Sequence, residues 1–223
     1  MVIKEAYFNH KGGKYIYRIH KDKIDRLCKG NFSSLKGYLL NMLNKCPHEY
    51  FNGGPRSSCL RFNFIESAMQ IAGHEVSVLA RHGLTHNNGR FKDKHSQVQA
   101  FMLENDTNTI AMEVPIWLLP NELGNYRAIF NSEEVLTGHI DLLRIEDGRL
   151  WIWDYKPNAN KEKYATTQTF FYAYMLSKRA GISLKNVRCG YFDHNFAFVY
   201  KPEQDTLLKL NKQRVLEDSL KRE

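Results

Sequence analysis

Two apolar runs, Val135 to Ile145 and Leu150 to Lys156, are joined by Glu146-Asp147-Gly148-Arg149, and no other stretch constrains the fold as strongly. An Asp-Gly pair between branched and aromatic residues signals a tight hairpin, because the favoured two-residue turn needs left-handed backbone at both central positions. The spacing therefore predicts two adjacent antiparallel strands. Polar residues interrupt both of them: Asp141 on the first, and Asp154 and Lys156 on the second. Alternate side chains of a strand share a face, so Asp154 and Lys156 project together while Trp151, Trp153 and Tyr155 occupy the opposite face. With the right register, the short turn brings Asp141 within cross-strand reach of Asp154.

Two carboxylates and a lysine converging in an apolar setting point to a particular chemistry. Unpaired buried carboxylates repel each other and lose hydration, at a penalty on the order of several kcal/mol. A divalent cation relieves both problems. Carboxylate oxygens suit Mg²⁺ or Mn²⁺, which commonly bind through one or two carboxylates together with a substrate phosphate. Lys156 is then placed to orient or deprotonate a water, or to stabilise charge developing on phosphoryl oxygens; the sequence leaves these roles open.

Around this hairpin the pattern predicts α/β architecture, a mixed β-sheet flanked by helices. Thr109 to Trp117 reads as a strand, Glu162 to Arg179 as a helix capped by Gly181, and Val187 to Phe192 with Phe196 to Tyr200 as a second hairpin. Residues 1–105 are expected to be mainly helical, with helices at 35–43, 60–80 and 92–104, and residues 203–223 to form a C-terminal helix. The chain of 223 residues reads as one domain with its core at 106–202. No apolar run is long enough to span a bilayer and no signal peptide opens the chain, so a cytoplasmic protein with no membrane partner is expected. With 32 Lys+Arg against 24 Asp+Glu, the basic balance permits nucleic acid as a partner without demanding it. Lys11, Lys14, Arg18, Lys21, Lys23 and Arg26 could grip a phosphate backbone, and Lys161 and Lys163, between the second strand and the helix, could contact phosphates. The four cysteines, at 28, 46, 59 and 189, form no CxxC pair, which argues against a disulfide scaffold or a zinc ribbon.

Gly138-His139-Ile140-Asp141, Asp154-Tyr155-Lys156 and Gln168-Thr169-Phe170-Phe171-Tyr172, in this order, resemble the PD-(D/E)XK nuclease superfamily, and specifically its RecB-type branch. The resemblance covers about residues 110 to 202 and implies a restriction-endonuclease-like core. It implies that Asp141 and Asp154 bind metal with the backbone carbonyl of Tyr155, and that Lys156 is the catalytic lysine. It also implies that Gln168 and Tyr172, four apart on one helix face, contact the DNA or the catalytic groups. This branch usually adds a histidine ligand from an upstream helix. His74 is the favoured candidate, ahead of His82 and of the acidic Glu66 and Glu75. Glu113 matches a glutamate that many relatives carry beside the site, and His139 is read as structural. Some relatives hold an iron-sulfur cluster on one cysteine before the core and three after it. Cys28, Cys46 and Cys59 precede the core here and Cys189 alone follows it, which argues against a cluster.

The implied activity is hydrolysis of phosphodiester bonds, with single-stranded DNA or DNA ends favoured as substrate and exonuclease ahead of endonuclease action. RNA cleavage stays open. The rival is a non-cleaving nucleic-acid-binding subunit of a DNA repair or recombination complex. The sequence specifies no oligomeric state.

Overall fold

The computed structural model describes residues 2–63, 68–203 and 205–207. Its strands are β1 (Ile3–His10), β2 (Gly13–His20), β3 (Met69–Ala72), β4 (Thr109–Leu118), β5 (Leu136–Glu146), β6 (Arg149–Tyr155), β7 (Val187–Phe192) and β8 (Phe196–Tyr200). The helices are α1 (Lys21–Leu27), α2 (Ser33–Met42), α3 (Glu75–His86), α4 (Lys94–Asn105), α5 (Tyr126–Phe130) and α6 (Ala165–Ala180). All the strands join one mixed sheet in the order β1-β2-β4-β5-β6-β7-β8-β3. The fold is α/β, with helices on both faces.

The turn between β5 and β6 forms where the sequence places it. Asp147 and Gly148 take φ 48° and 65°, the left-handed backbone that a two-residue hairpin needs. Leu142 pairs with Trp153 across the hairpin, so Asp141 and Asp154 lie one step beyond this last pair and face each other. Strand β6 pairs in parallel with β7, and α6 makes the crossover that such a pair requires.

Each face of β6 belongs to a different core. Leu150 and Ile152 pack with Phe170, Phe171 and Met175 of α6. Trp153 and Tyr155 pack with Val76 and Ala80 of α3 and Val98 and Met102 of α4. Fully burying side chains of this size contributes roughly 1.5–3 kcal/mol each, so α6 is held firmly against the sheet face that carries Asp154. Gly181, in left-handed backbone at φ 66°, ends α6 by donating its N–H to the Ser177 carbonyl.

The N-terminal part carries α1 to α4, as the helical expectation has it, but opens on strands. Residues 3–20 form the β1–β2 hairpin, closed by Lys11-Gly12 between His10 and Gly13. The physical reason lies in β2, where Tyr17 and Ile19 are buried and Ile16, Arg18 and His20 less so, the period-two pattern of a strand. The helix expected at 60–80 is replaced by β3, paired with β8, and by α3, which begins only at Glu75. Residues 64–67 lie outside the described residues, as does most of the expected C-terminal helix, from 208 onward. The helices expected at 35–43 and 92–104 correspond to α2 and α4.

Gly138 sets how closely α6 approaches β5. A Cβ there would lie 2.4 Å from Ser57 Oγ and 2.6 Å from Tyr172 Cε1. Overpacking of this kind typically costs about 1–3 kcal/mol. Gly138→Ala is expected to lower the unfolding free energy in urea by about that amount; an unchanged midpoint and slope would show that the helix has room to move.

Candidate active site

The site is built where β5 and β6 end their pairing. Asp141 is 9% exposed and Asp154 1%. Asp141 Oδ2 accepts a hydrogen bond from the Tyr155 backbone N–H at 2.9 Å, so the second strand fixes the carboxylate of the first. On the other side, Gln168 Nε2 donates to Asp154 Oδ1 at 3.0 Å and lies 2.8 Å from the Tyr172 hydroxyl. The four-residue spacing on α6 puts these two side chains in line, and the buried amide links Asp154 to the helix. Lys156 Nζ lies 2.7 Å from Asp154 Oδ2, a largely buried ion pair. The Lys156 backbone N–H donates to the Phe192 carbonyl at 2.8 Å, which continues the strand register past β6 and aims the lysine to the same side as Asp154.

The structure adds two groups to this set. Glu113 sits on β4 in left-handed backbone at φ 53°, a strained conformation for a long side chain, worth on the order of 1–3 kcal/mol. Its Oε1 accepts from Gln99 Nε2 of α4 at 2.7 Å. His95, one turn before Gln99 on α4, brings its Nε2 within 4.0 Å of Asp141 Oδ2 and sets its ring edge-on to Tyr155 at 5.2 Å. His95 was missed in the sequence, although its i,i+4 spacing to Gln99 just after the helix start marked one polar helix face.

Burial dominates the electrostatics, and the crowding of carboxylates adds to it. Burial, followed by the charge of Asp154, pushes the Asp141 carboxyl up to about 7. Burial and the charge of Asp141 push Glu113 up to about 8. Burial alone would lower Lys156, but Asp154 and Asp141 outweigh it and hold the ammonium above its ordinary value. Burial also raises the Tyr172 phenol well above its usual range, so it stays neutral. Acidic oxygens that suppress one another's ionisation form a site that a cation would stabilise. The donor set of carboxylate oxygens and one imidazole, with the Lys156 ammonium beside Asp154 Oδ2, fits a hard divalent ion.

Other residues singled out in the sequence lie elsewhere. His74 caps α3, with its Nδ1 accepting from the Val76 N–H at 3.3 Å, and its ring packs 5.3 Å from that of Trp153. That is the face of β6 opposite Asp154, so the structure does not bring His74 to the carboxylates. His82 stacks on Phe101, and Glu75 pairs with the fully buried Arg144 at 2.8 Å. Glu66 lies outside the described residues. Gln168 and Tyr172, 7% and 2% exposed, direct their polar atoms to Asp154 and to each other, which leaves little surface for nucleic acid. Lys161 and Lys163 are exposed between β6 and α6, on a loop held by the Ala159 N–H donating to Asp193 at 2.9 Å.

A cleft of about 720 Å³ between the β1–β2 hairpin and α4 is lined by Tyr7, Lys14, Arg18 and Phe91 and meets the site through His95 and Glu113. Of the N-terminal basic residues, Lys14 and Arg18 reach this cleft. Lys21 pairs with Asp25, while Lys23 is buried against the Leu103 carbonyl and Asp106.

Among the described residues no helix is long and apolar enough to cross a membrane. No curated protein matches the chain. A family model described as the PD-(D/E)XK nuclease superfamily matches residues 67–222, a span that takes in Glu113, Asp141, Asp154, Lys156, Gln168 and Tyr172. With its paired acids, neighbouring lysine and mixed sheet all inside that match, the chain belongs to the PD-(D/E)XK nuclease superfamily, whose members are typically metal-dependent nucleases acting on nucleic acid.

Proposed function

We propose that this chain is a single nuclease domain of the RecB-type branch, a divalent-metal-dependent deoxyribonuclease that acts on single-stranded DNA or DNA ends, as an exonuclease in preference to an endonuclease. The observation that carries this reading is the burial of Asp141 beside Asp154, each tied to a different element and both within reach of Lys156's charge. Without a bound cation, the Lys156 ammonium is the charge that offsets these crowded carboxylates.

Asp141, Asp154, Glu113 and the Tyr155 carbonyl would hold Mg²⁺ or Mn²⁺, with His95 rather than His74 as the helix-borne ligand. When bound, the cation supplies Lewis-acid stabilisation of the charge that builds on the phosphoryl oxygens and makes water a stronger nucleophile. Lys156 keeps its proton and contributes positive charge beside the scissile phosphate. Gln168 is a positioning residue: it fixes the Asp154 carboxylate and is itself held by Tyr172. The cleft suits a single strand, since Tyr7 is exposed on its wall and Phe91 lies under the guanidiniums of Arg18 and Arg90 at 5.9 and 4.9 Å. Aromatic rings stack bases without sequence preference and basic groups follow the backbone. Lys161 and Lys163 would meet phosphates on the other side of Lys156.

The test is incubation with labelled single-stranded DNA, double-stranded DNA and RNA, in Mn²⁺, Mg²⁺ or EDTA. Metal-dependent DNA products are expected from the wild type, and Asp154→Ala is expected to lower the rate by about 10³-fold or more, a loss of roughly 4 kcal/mol in barrier stabilisation. Binding without products in every metal would favour the non-cleaving subunit, and products from RNA alone would move the substrate class.

Thermal melting checks the cation separately. Mn²⁺ at about 100 times its dissociation constant stabilises the native state by about 2.7 kcal/mol, or roughly 5–10 °C for a chain of this size. Asp141→Asn relieves repulsion, keeps an acceptor for the Tyr155 N–H, and is expected to melt no lower than the metal-free wild type while losing most of the Mn²⁺ shift. A full shift in this variant would place the ion elsewhere.

Gln168→Ala is expected to lower kcat by about 10–10²-fold with little change in KM, in the range seen when partners that orient metal ligands are removed. A change in KM alone would assign Gln168 to substrate binding.

A further inference from the structure

A second cluster of ligand-type side chains lies at the far end of β1, in the part of the chain that precedes the family match. His10, Cys46 and His48 bring their ligand atoms within 4.8 Å of one another. His10 Nε2 and His48 Nδ1 are 2.9 Å apart. We propose that His10, Cys46 and His48 form a zinc site, distinct from the acidic site, that clamps the β1–β2 hairpin to the turn at His48–Phe51.

The donor set favours zinc over the hard cations. Two imidazole nitrogens and one thiolate are borderline to soft ligands, whereas Mg²⁺ and Mn²⁺ prefer oxygen. Tetrahedral zinc, with metal–nitrogen bonds near 2.0–2.1 Å, holds two imidazole nitrogens about 3.3 Å apart, so the two rings need to separate by only a few tenths of an ångström. Three protein ligands leave a fourth position, and His48, the exposed member of the trio, puts that position toward solvent.

The surroundings orient the ligands. His10 is 4% exposed and lies between apolar rings, stacked on Phe51 at 4.2 Å and on Phe8 at 5.1 Å. Its Nδ1 is 2.9 Å from His139 Nε2. With the proton on Nδ1, His10 donates to His139 and turns its Nε2 lone pair toward Cys46 and His48, the arrangement in which a metal-bound histidine donates its other N–H to an acceptor. His139 in turn stacks on Tyr15 at 3.7 Å. Burial, with His48 and Arg56 adding, lowers His10 to about 4, so it is a neutral imidazole, the form a metal requires. Burial, with the Glu49 carboxylate adding, pushes the Cys46 thiol up to about 12; a bound zinc would displace that proton. Zinc binding therefore releases one proton, from Cys46, while the proton between the two imidazoles moves to His48 Nε2.

His139 lies two residues before Asp141, so the clamp reaches β5 beside the acidic site, and the hairpin it fastens forms one wall of the cleft. The full chain, purified without a histidine tag, dialysed against micromolar zinc and then buffer, is expected to retain about one zinc per chain by elemental analysis. The cobalt-substituted protein is expected to show tetrahedral visible bands and a near-ultraviolet thiolate-to-cobalt band. Cys46→Ser should abolish the thiolate band and His48→Ala, at an exposed position, should lose the zinc, while Cys59→Ser should change neither. His139→Ala is expected to weaken zinc binding 10–100-fold. Retained zinc equal in the wild type, Cys46→Ser and His48→Ala would place the metal elsewhere, and a wild type that retains none and gives no thiolate band would overturn the proposal.

Discussion

Two buried carboxylates facing each other across a hairpin are the constraint on which the rest of this structure turns. Asp141 and Asp154 are held in place by groups from different elements: the Tyr155 backbone N–H on one side, and Gln168 from α6 on the other. Lys156 supplies a single positive charge to a neighbourhood that also holds Glu113. Much of the surrounding architecture serves to keep this arrangement from relaxing. The apolar face of α6 fixes the depth of Gln168, Gly138 lets Tyr172 come close to β5, and the parallel β6–β7 pairing carries the strand through Lys156. The deeply buried Arg144, paired with Glu75, ties β5 to the start of α3 on the opposite face.

The catalytic-type motif was legible because its parts obey local periodicities. Strand alternation put Asp154 with Lys156 and set the tryptophans on the other face, and the i,i+4 rule put Gln168 with Tyr172; neither depends on distant packing. The facing of Asp141 and Asp154 needed only a short turn whose Asp-Gly chemistry is explicit. Glu113 could be linked to the site by resemblance, but its left-handed backbone and its bond to Gln99 arise from the packing of α4 against β4 and leave no local mark. His95 reaches Asp141 for the same reason.

Three departures from the sequence reading have physical causes. His74 follows a glycine and precedes apolar helix positions, which made it look like a helix-borne ligand. As the cap of α3 its ring nitrogen instead accepts from the helix backbone, and its ring lies against Trp153. The N-terminal hairpin did carry a signal, the alternation through Tyr17 and Ile19 after a glycine pair, but its many lysines and arginines masked the period-two pattern. The strand β3, four residues long, is stabilised by pairing with β8, which no short-range pattern announces.

The central claim, that folding places Asp141 and Asp154 to share one divalent cation, is tested most directly by locating the ion. In a crystal soaked with Mn²⁺, the account predicts an anomalous-scattering peak bonded to a carboxylate oxygen of both residues, at about 2.0–2.3 Å. A peak touching neither aspartate, or two carboxylates turned away from each other with no ion between them at saturating Mn²⁺, would contradict it.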